Sequence, residues 1–175
     1  MKTGPATEYA LLGALRSGAK HGYEILQYFE ANLGSTWYVS TSQLYALLKR
    51  LEKRGWLRSS VEVQETRPSK RVFSLTPKGK KTFEEWLYRP TEHVRDLRVE
   101  FLAKLFFLKH LHLQGGAELV EAQVRLLESL REQLVRMREE TEEEFQKLVL
   151  DARRATIDSW KDWLREEAGK FASSE

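Results

Sequence analysis

The sequence predicts a mainly α protein, with one short β-hairpin set between two groups of helices. Apolar residues recur at helical spacing through most of the 175 residues. The clearest apolar/polar alternation is brief and lies within 61–75. Glycine, proline and small polar residues stand where the helical runs start and stop.

Residues 7–16, TEYALLGALR, give the first helix, with Leu11, Leu12 and Leu15 inward. The turn SGAKHGY at 17–23 follows, and Gly18 is placed to stop the helix. A second helix is expected over 21–33, with Ile25, Leu26, Phe29 and Leu33 at helical spacing and Gly34 at its end. STWYV at 35–39 is a short extended link. The third helix begins after Ser40. That hydroxyl suits an N-cap, and Gln43 stands three residues on, where its amide can reach back to the cap N–H. Leu44, Leu47, Leu48 and Leu51 form one stripe, and Gly55 closes the helix.

Two strands are expected next. Val61 and Val63 alternate with charges, then Phe73 and Leu75 alternate with Val72 and Ser74. ETRPSKR at 65–71 is the basic turn between them. Thr76 caps a fourth helix with Pro77 at its first position, and Phe83, Trp86 and Leu87 make its apolar face. Pro90 marks a boundary. Residues 94–112 are expected to be one helix, apolar almost all round. After Gly115 and Gly116, residues 117–148 read as one long helix with a heptad-like stripe of Val120, Leu127, Leu130, Leu134, Met137, Thr141 and Leu148. A last helix, about 150–170, places Ile157, Trp160, Leu164 and Phe171 on one side.

Three helices followed by a hairpin with a basic tip is the order of a winged helix-turn-helix. The expected layout is therefore a winged helix-turn-helix DNA-binding domain at 1–90 and a C-terminal helical dimerisation domain at 91–175. Charge agrees with that division. Residues 1–90 hold 15 Lys and Arg against 8 Asp and Glu, a net +7, and residues 91–175 carry a net −4. The basic half is the one suited to a polyanion.

The third helix is the candidate reader. Opposite its leucines it carries Ser42, Gln43, Tyr45, Ala46, Lys49 and Lys53. Small and amide side chains near a helix N-terminus suit base edges in the major groove, and lysines suit phosphate or guanine. On the hairpin, Arg67, Ser69, Lys70 and Arg71 are candidates to reach the neighbouring backbone or the minor groove. Two readings of His21-Gly22-Tyr23 stay open at this point. In one, Tyr23 donates to a phosphate. In the other, Gly22 permits close helix packing and Tyr23 is half-buried.

LLGALRSGAKHGYEIL (11–26), VSTSQLYALLKRLEKRGWL (39–57), RPSKRVFSLTPKGKKTFEEWL (67–87) and FLAKLFFLKHL (101–111) occur in this order. On these pieces the chain resembles the PadR family of bacterial transcriptional regulators over essentially its whole length. Members commonly have proline after the tyrosine of the third helix, where this chain has Ala46. The resemblance implies a dimeric repressor with an N-terminal winged helix and a C-terminal helical dimerisation part, and it implies that Tyr45 and its neighbours face DNA. The family includes members that respond to phenolic acids and planar drugs.

Residues 91–175 carry more apolar surface than one small subunit hides well, so a homodimer is expected, with an intrachain bundle as the alternative. Trp160 and Trp163, one turn apart, are candidates to line a cavity for a small aromatic effector, together with Met137, Phe101, Phe106 and Phe107. The alternative places the two tryptophans in a core or a dimer seam. EETEEE at 139–144 reads as a solvated face.

The chain has no cysteine, which excludes disulfides, thiolate zinc sites and cysteine nucleophiles. It has no run of about 18 apolar residues and no signal-like N-terminus, so a cytoplasmic protein without a membrane span is expected. His110 and His112 diverge on a helix, and no phosphate-binding loop or nucleophile motif is present. Catalytic residues, metal ligands and cofactors are therefore not expected. The rival reading is a winged-helix protein-interaction module without a DNA-reading function.

Overall fold

The computed structural model describes residues 5–34, 37–62 and 69–173. It divides into two compact units, residues 1–88 with 98–107, and residues 89–97 with 108–175. The expected boundary near Pro90 falls where the first crossing occurs. Residues 98–107, however, join the first unit.

In the first unit, α1 (Pro5–Ala14) is followed by β1 (Lys20–His21), α2 (Gly22–Leu33), α3 (Thr41–Lys53), β2 (Leu57–Glu62), β3 (Lys70–Leu75) and α4 (Pro77–Leu87). The sheet is antiparallel with order β1-β3-β2. β1 lies within what the sequence marks as a turn. Two residues are too few to show alternation, and pairing with β3 decides their conformation. β2 starts at Leu57, four residues before the alternation at Val61. Leu57 is its buried anchor, whereas Val61 is 66% exposed. Val63 lies outside the described residues.

The core of this unit takes Leu11, Leu12 and Leu15, Ile25 and Phe29, the four leucines of α3, Phe73, and Phe83 and Leu87 of α4. Trp37 Nε1 donates to Thr7 Oγ1 at 3.0 Å, tying the α2–α3 link to α1. Thr76 caps α4 as its hydroxyl accepts from the Gly79 N–H at 3.0 Å. The Phe107 ring occupies the space where a Cβ on Gly13 would stand, 2.5 Å from that point. Phe107 also meets Phe83 edge-on at 5.5 Å. Phe101 and Phe107 are thus core residues of the first unit, and Phe106 packs edge-on against Tyr28 there.

The segment expected as one helix over 94–112 starts with a 3₁₀ turn (Val94–Asp96) and a π-helical turn (Leu97–Phe101), and becomes α5 at Leu102–His110. Lys104 is fully buried. It is paired with Glu100 at 2.6 Å and lies over the Trp86 ring at 5.1 Å.

In the second unit, the long helix expected over 117–148 is two helices, α6 (Gly116–Glu140) and α7 (Glu144–Trp163), with extended backbone at Thr141 between them. α6 spans about 37 Å at 1.5 Å per residue. The break has an electrostatic reason. Glutamates at 139 and 140 stand at the negative end of α6, while Glu143 and Glu144 stand at the positive end of α7. Glu143 and Glu144 therefore favour a new N-terminus at α7, whereas Glu139 and Glu140 are unfavourable where they stand. The apolar stripe folds back on itself: Leu119, Leu127 and Leu134 of α6 and Leu150 and Ile157 of α7 are buried, as is Leu164 beyond it. Leu148, expected in that stripe, is 64% exposed. Arg138 Nε donates to both oxygens of Asp151 at 2.9 Å, and Arg131 to Asp158 at 2.7 Å. A second π-helical turn (Leu164–Ala168) leads into α8 (Gly169–Ser173). Phe171, expected on the inner side, is 46% exposed.

Candidate nucleic-acid interface

α3 is held at its start by the two bonds its sequence suggests. The Gln43 N–H donates to Ser40 Oγ at 3.3 Å, and the Ser40 N–H donates to Gln43 Oε1 at 3.1 Å. Two otherwise orphaned donors are satisfied, which fixes the first turn. This arrangement changes what Gln43 can offer. Its side chain is half-buried and its carbonyl oxygen is committed to the cap, so only the amide NH₂ remains for a base edge.

Ser42, Tyr45, Ala46, Lys49 and Lys53 are exposed on one side of α3, and Leu44, Leu47, Leu48 and Leu51 are buried on the other. The four cations of the helix are all exposed, but they differ in their partners. Arg50 and Arg54 turn back to Glu8 of α1, at 2.6 and 2.5 Å, and Arg54 also lies over the Trp56 ring at 5.1 Å. Glu8 is 7% exposed. Lys49 and Lys53 have no carboxylate partner among the described residues. The outer face of α3 therefore carries two uncompensated positive charges.

The His-Gly-Tyr-Glu piece at 21–24 now has a physical reading. The His21 N–H donates to Glu24 Oε2 at 2.6 Å, capping α2. Gly22 leaves room for Tyr45, since a Cβ there would stand 2.6 Å from the Tyr45 hydroxyl oxygen. Gly22 thus fixes how α2 and α3 approach, as the structural reading has it. Tyr23, half-buried in that reading, is instead 67% exposed, because the first turn of α2 points it away from the core. His21 Nε2 lies 3.5 Å from Glu62 Oε2, and its Nδ1 is buried with no hydrogen-bond partner among the described residues.

On the wing, Ser69 and Lys70 are exposed. Arg71 is engaged elsewhere. Its Nη2 meets Glu52 of α3 at 2.7 Å, its Nε donates to Ser59 Oγ at 2.9 Å, and it lies over Phe73 at 5.3 Å. It braces the wing on α3, while the neighbouring Lys70 has no carboxylate partner among the described residues. Arg67 lies outside the described residues.

Sequence reasoning missed Tyr38, which is 84% exposed. It shares with Tyr23, Ser40 and Thr41 a groove of about 520 Å³ between α2 and the start of α3. The signal was present in the extended link: Trp37 and Val39 are buried, so the residue between them points out.

In the second unit, Trp160 and Trp163 meet edge-on with centroids 5.5 Å apart, both half-buried. A cavity of about 430 Å³ lies nearby in sequence, lined by Leu130, Leu134, Met137, Ile157, Arg95 and Arg153 among others. Met137 contributes to it as expected, and the two tryptophans do not.

A capped, half-exposed third helix packed on two others, followed by a paired two-stranded wing, defines a winged helix-turn-helix protein. Residues 11–85 match the transcriptional regulator PadR-like family. It is 34% identical over 118 residues to the negative transcriptional regulator PadR of Bacillus subtilis strain 168, covering 67% of this chain and 65% of that protein. It is 29% identical over 90 residues to the probable transcriptional regulator Rv1176c of Mycobacterium tuberculosis, covering 51% of this chain and 48% of that protein. The match thus spans less than two thirds of either relative. The crystal structure of Bacillus subtilis PadR in complex with operator DNA is 27% identical, covers 94% of this chain and 98% of that one, and superposes with a TM-score of 0.49. Among the described residues, no helix is long and apolar enough to cross a membrane.

Proposed function

We propose that this protein is a cytoplasmic, sequence-specific DNA-binding repressor that acts as a homodimer. α3 enters the major groove, and the wing lies against the adjacent backbone. The single observation that carries this reading is the division of α3. Arg50 and Arg54, on the edge toward α1, are neutralised by Glu8, while the outer face presents Ser42, Tyr45, Lys49 and Lys53 with neither lysine on a carboxylate among the described residues. A solvated surface helix has no need to sort its cations in this way. Lys49, Lys53 and Lys70 neutralise phosphates; Tyr23 and Tyr38 donate hydrogen bonds to the backbone. Tyr45, Ser42 and the amide NH₂ of Gln43 read bases. Ser69 and Arg67 extend the wing contact, and Arg71 sets the wing's angle.

The exposed apolar cluster of Met137, Phe145 and Leu148 on the α6–α7 hairpin supplies a dimer contact, with Phe145 68% exposed. The second unit also holds the effector. An aromatic ring fits among Leu130, Leu134, Met137 and Ile157, with Arg95 and Arg153 beside it for a polar end. Trp160 and Trp163, on the same hairpin, report its binding by fluorescence. The family role is regulatory, and the protein carries out no catalysis.

The test is binding to operator-containing and unrelated duplexes across a salt series. Affinity is expected to fall with a log–log slope of about −0.9 per phosphate neutralised. Lys70→Ala weakens all duplexes alike, whereas Tyr45→Ala erodes the preference for one sequence. Weak, salt-insensitive association with every duplex would instead support the protein-interaction module.

A further inference from the structure

A second cationic feature of the first unit has no place in the DNA reading. A groove of about 600 Å³ opens between the end of α1, the sheet and the start of α4. Leu15, Leu75 and Pro77 give it apolar walls, Arg16, Arg58 and Lys80 line it, and no carboxylate does.

The three cations are compensated to different degrees. Arg58 stands opposite Ser74 in the strand register, and its Nε donates to Ser74 Oγ at 3.1 Å. That bond orients the guanidinium without neutralising it. Lys80 is exposed and has no carboxylate partner among the described residues. Arg16 has one distant partner, Glu84 at 3.5 Å, and its Nε is buried with no hydrogen-bond partner. The contrast with Arg71 is direct. Arg71, on the same sheet, has its carboxylate in Glu52.

The sheet separates this groove from the reading helix. Ser59 and Arg71 face α3 through Glu52, and Arg58 and Ser74 belong to the opposite face of the same ladder. A duplex seated on Tyr45 and Lys49 does not occupy it. What suits three cations lining one groove is a small molecule with a concentrated negative charge. A phosphate monoester carries about −1.5 to −2 at pH 7, more than a carboxylate, and an arginine fork binds it bidentately.

We infer that the groove binds a small organic phosphate. Its phosphate group sits between Arg58 and Lys80 with Arg16 beside it, and its carbon body lies against the exposed Ala19 and Pro77. The inference stands independently of DNA binding, because it is read without DNA.

The experiment is calorimetric titration of the full chain with glycerol 3-phosphate at fixed ionic strength, with inorganic phosphate, acetate and chloride as comparators. Saturable binding of glycerol 3-phosphate is expected, with displacement by inorganic phosphate and no response to acetate or chloride. Arg58→Gln with Lys80→Gln is expected to weaken it at least tenfold, about the loss of one strong charged contact. Lys80→Glu alone, which leaves the sheet untouched, lowers affinity in the same direction. Equal affinity in wild type and both variants would overturn the inference, as would an equal response to acetate. Absence of phosphate binding together with loss of duplex affinity in the double variant would also overturn it, and would make the groove a DNA contact.

Discussion

α3 and the α6–α7 hairpin are both amphipathic, and both carry many charges, yet they use them differently. On the hairpin, the basic residues Arg131, Arg138 and Arg165 meet Asp158, Asp151 and Glu128 across or along the pair of helices. The hairpin pairs most of its cations internally; among the described residues Arg136 and Arg153 have no carboxylate partner. α3 pairs its cations only on the edge toward α1, through Glu8, and leaves Lys49 and Lys53 open. Both are rich in charged residues at helical spacing, but α3 is net basic and the hairpin net acidic, and unpaired cations on a rigid, net basic helix mark the surface built for a polyanion.

The comparison can be broken from either side. The largest effect is expected at the open end. Lys49→Ala with Lys53→Ala removes four lysines from the dimer and should lower duplex affinity at least roughly hundredfold near physiological salt and make the salt slope shallower by about 3.6. Fluorescence anisotropy across a salt series measures both. Gly22→Ala comes next. It should cost about 1–2 kcal/mol, since a methyl there collides with Tyr45. It should also lower duplex affinity through displacement of that ring. Glu8→Ala follows. It removes the shared partner of Arg50 and Arg54 and should cost about 1 kcal/mol of stability in urea unfolding, because both arginines are part-exposed and water takes up much of the lost pairing. The smallest effect belongs to the hairpin. Arg138→Ala breaks a part-exposed pair and should cost less than about 1 kcal/mol, with duplex binding unchanged. A large loss of DNA affinity from Arg138→Ala would sink the contrast.

Much of the first unit is legible in the sequence because its signals are local. The Ser40–Gln43 box, the leucine stripe of α3, the Thr76-Pro77 start of α4 and the glycine after α3 all depend on neighbours a few residues apart. What was not legible depends on partners distant in the chain. Arg71 looks like a wing-tip cation until Glu52 and Ser59 are brought beside it. β1 exists only through β3. The single helix expected over 117–148 failed for a different reason: a heptad stripe continues through a hairpin as well as through a straight rod. The run of glutamates around Thr141 held the signal, because acids gathered at a helix end favour a new N-terminus. The position of residues 98–107 was hidden as well. Nothing in FLAKLFFLKHL says which unit it joins until Phe107 fills the space above Gly13.

Selection of binding sites from a random duplex pool with the full-length protein tests the central claim most directly. Enrichment of one motif, repeated with two-fold symmetry and with half-site centres about 34 Å or a multiple apart, is the predicted result. The Tyr45→Ala protein should then enrich that motif poorly while still retaining duplexes at low salt. A pool that stays random with the unaltered protein would contradict the account, and so would a motif that the Tyr45→Ala protein recovers undiminished.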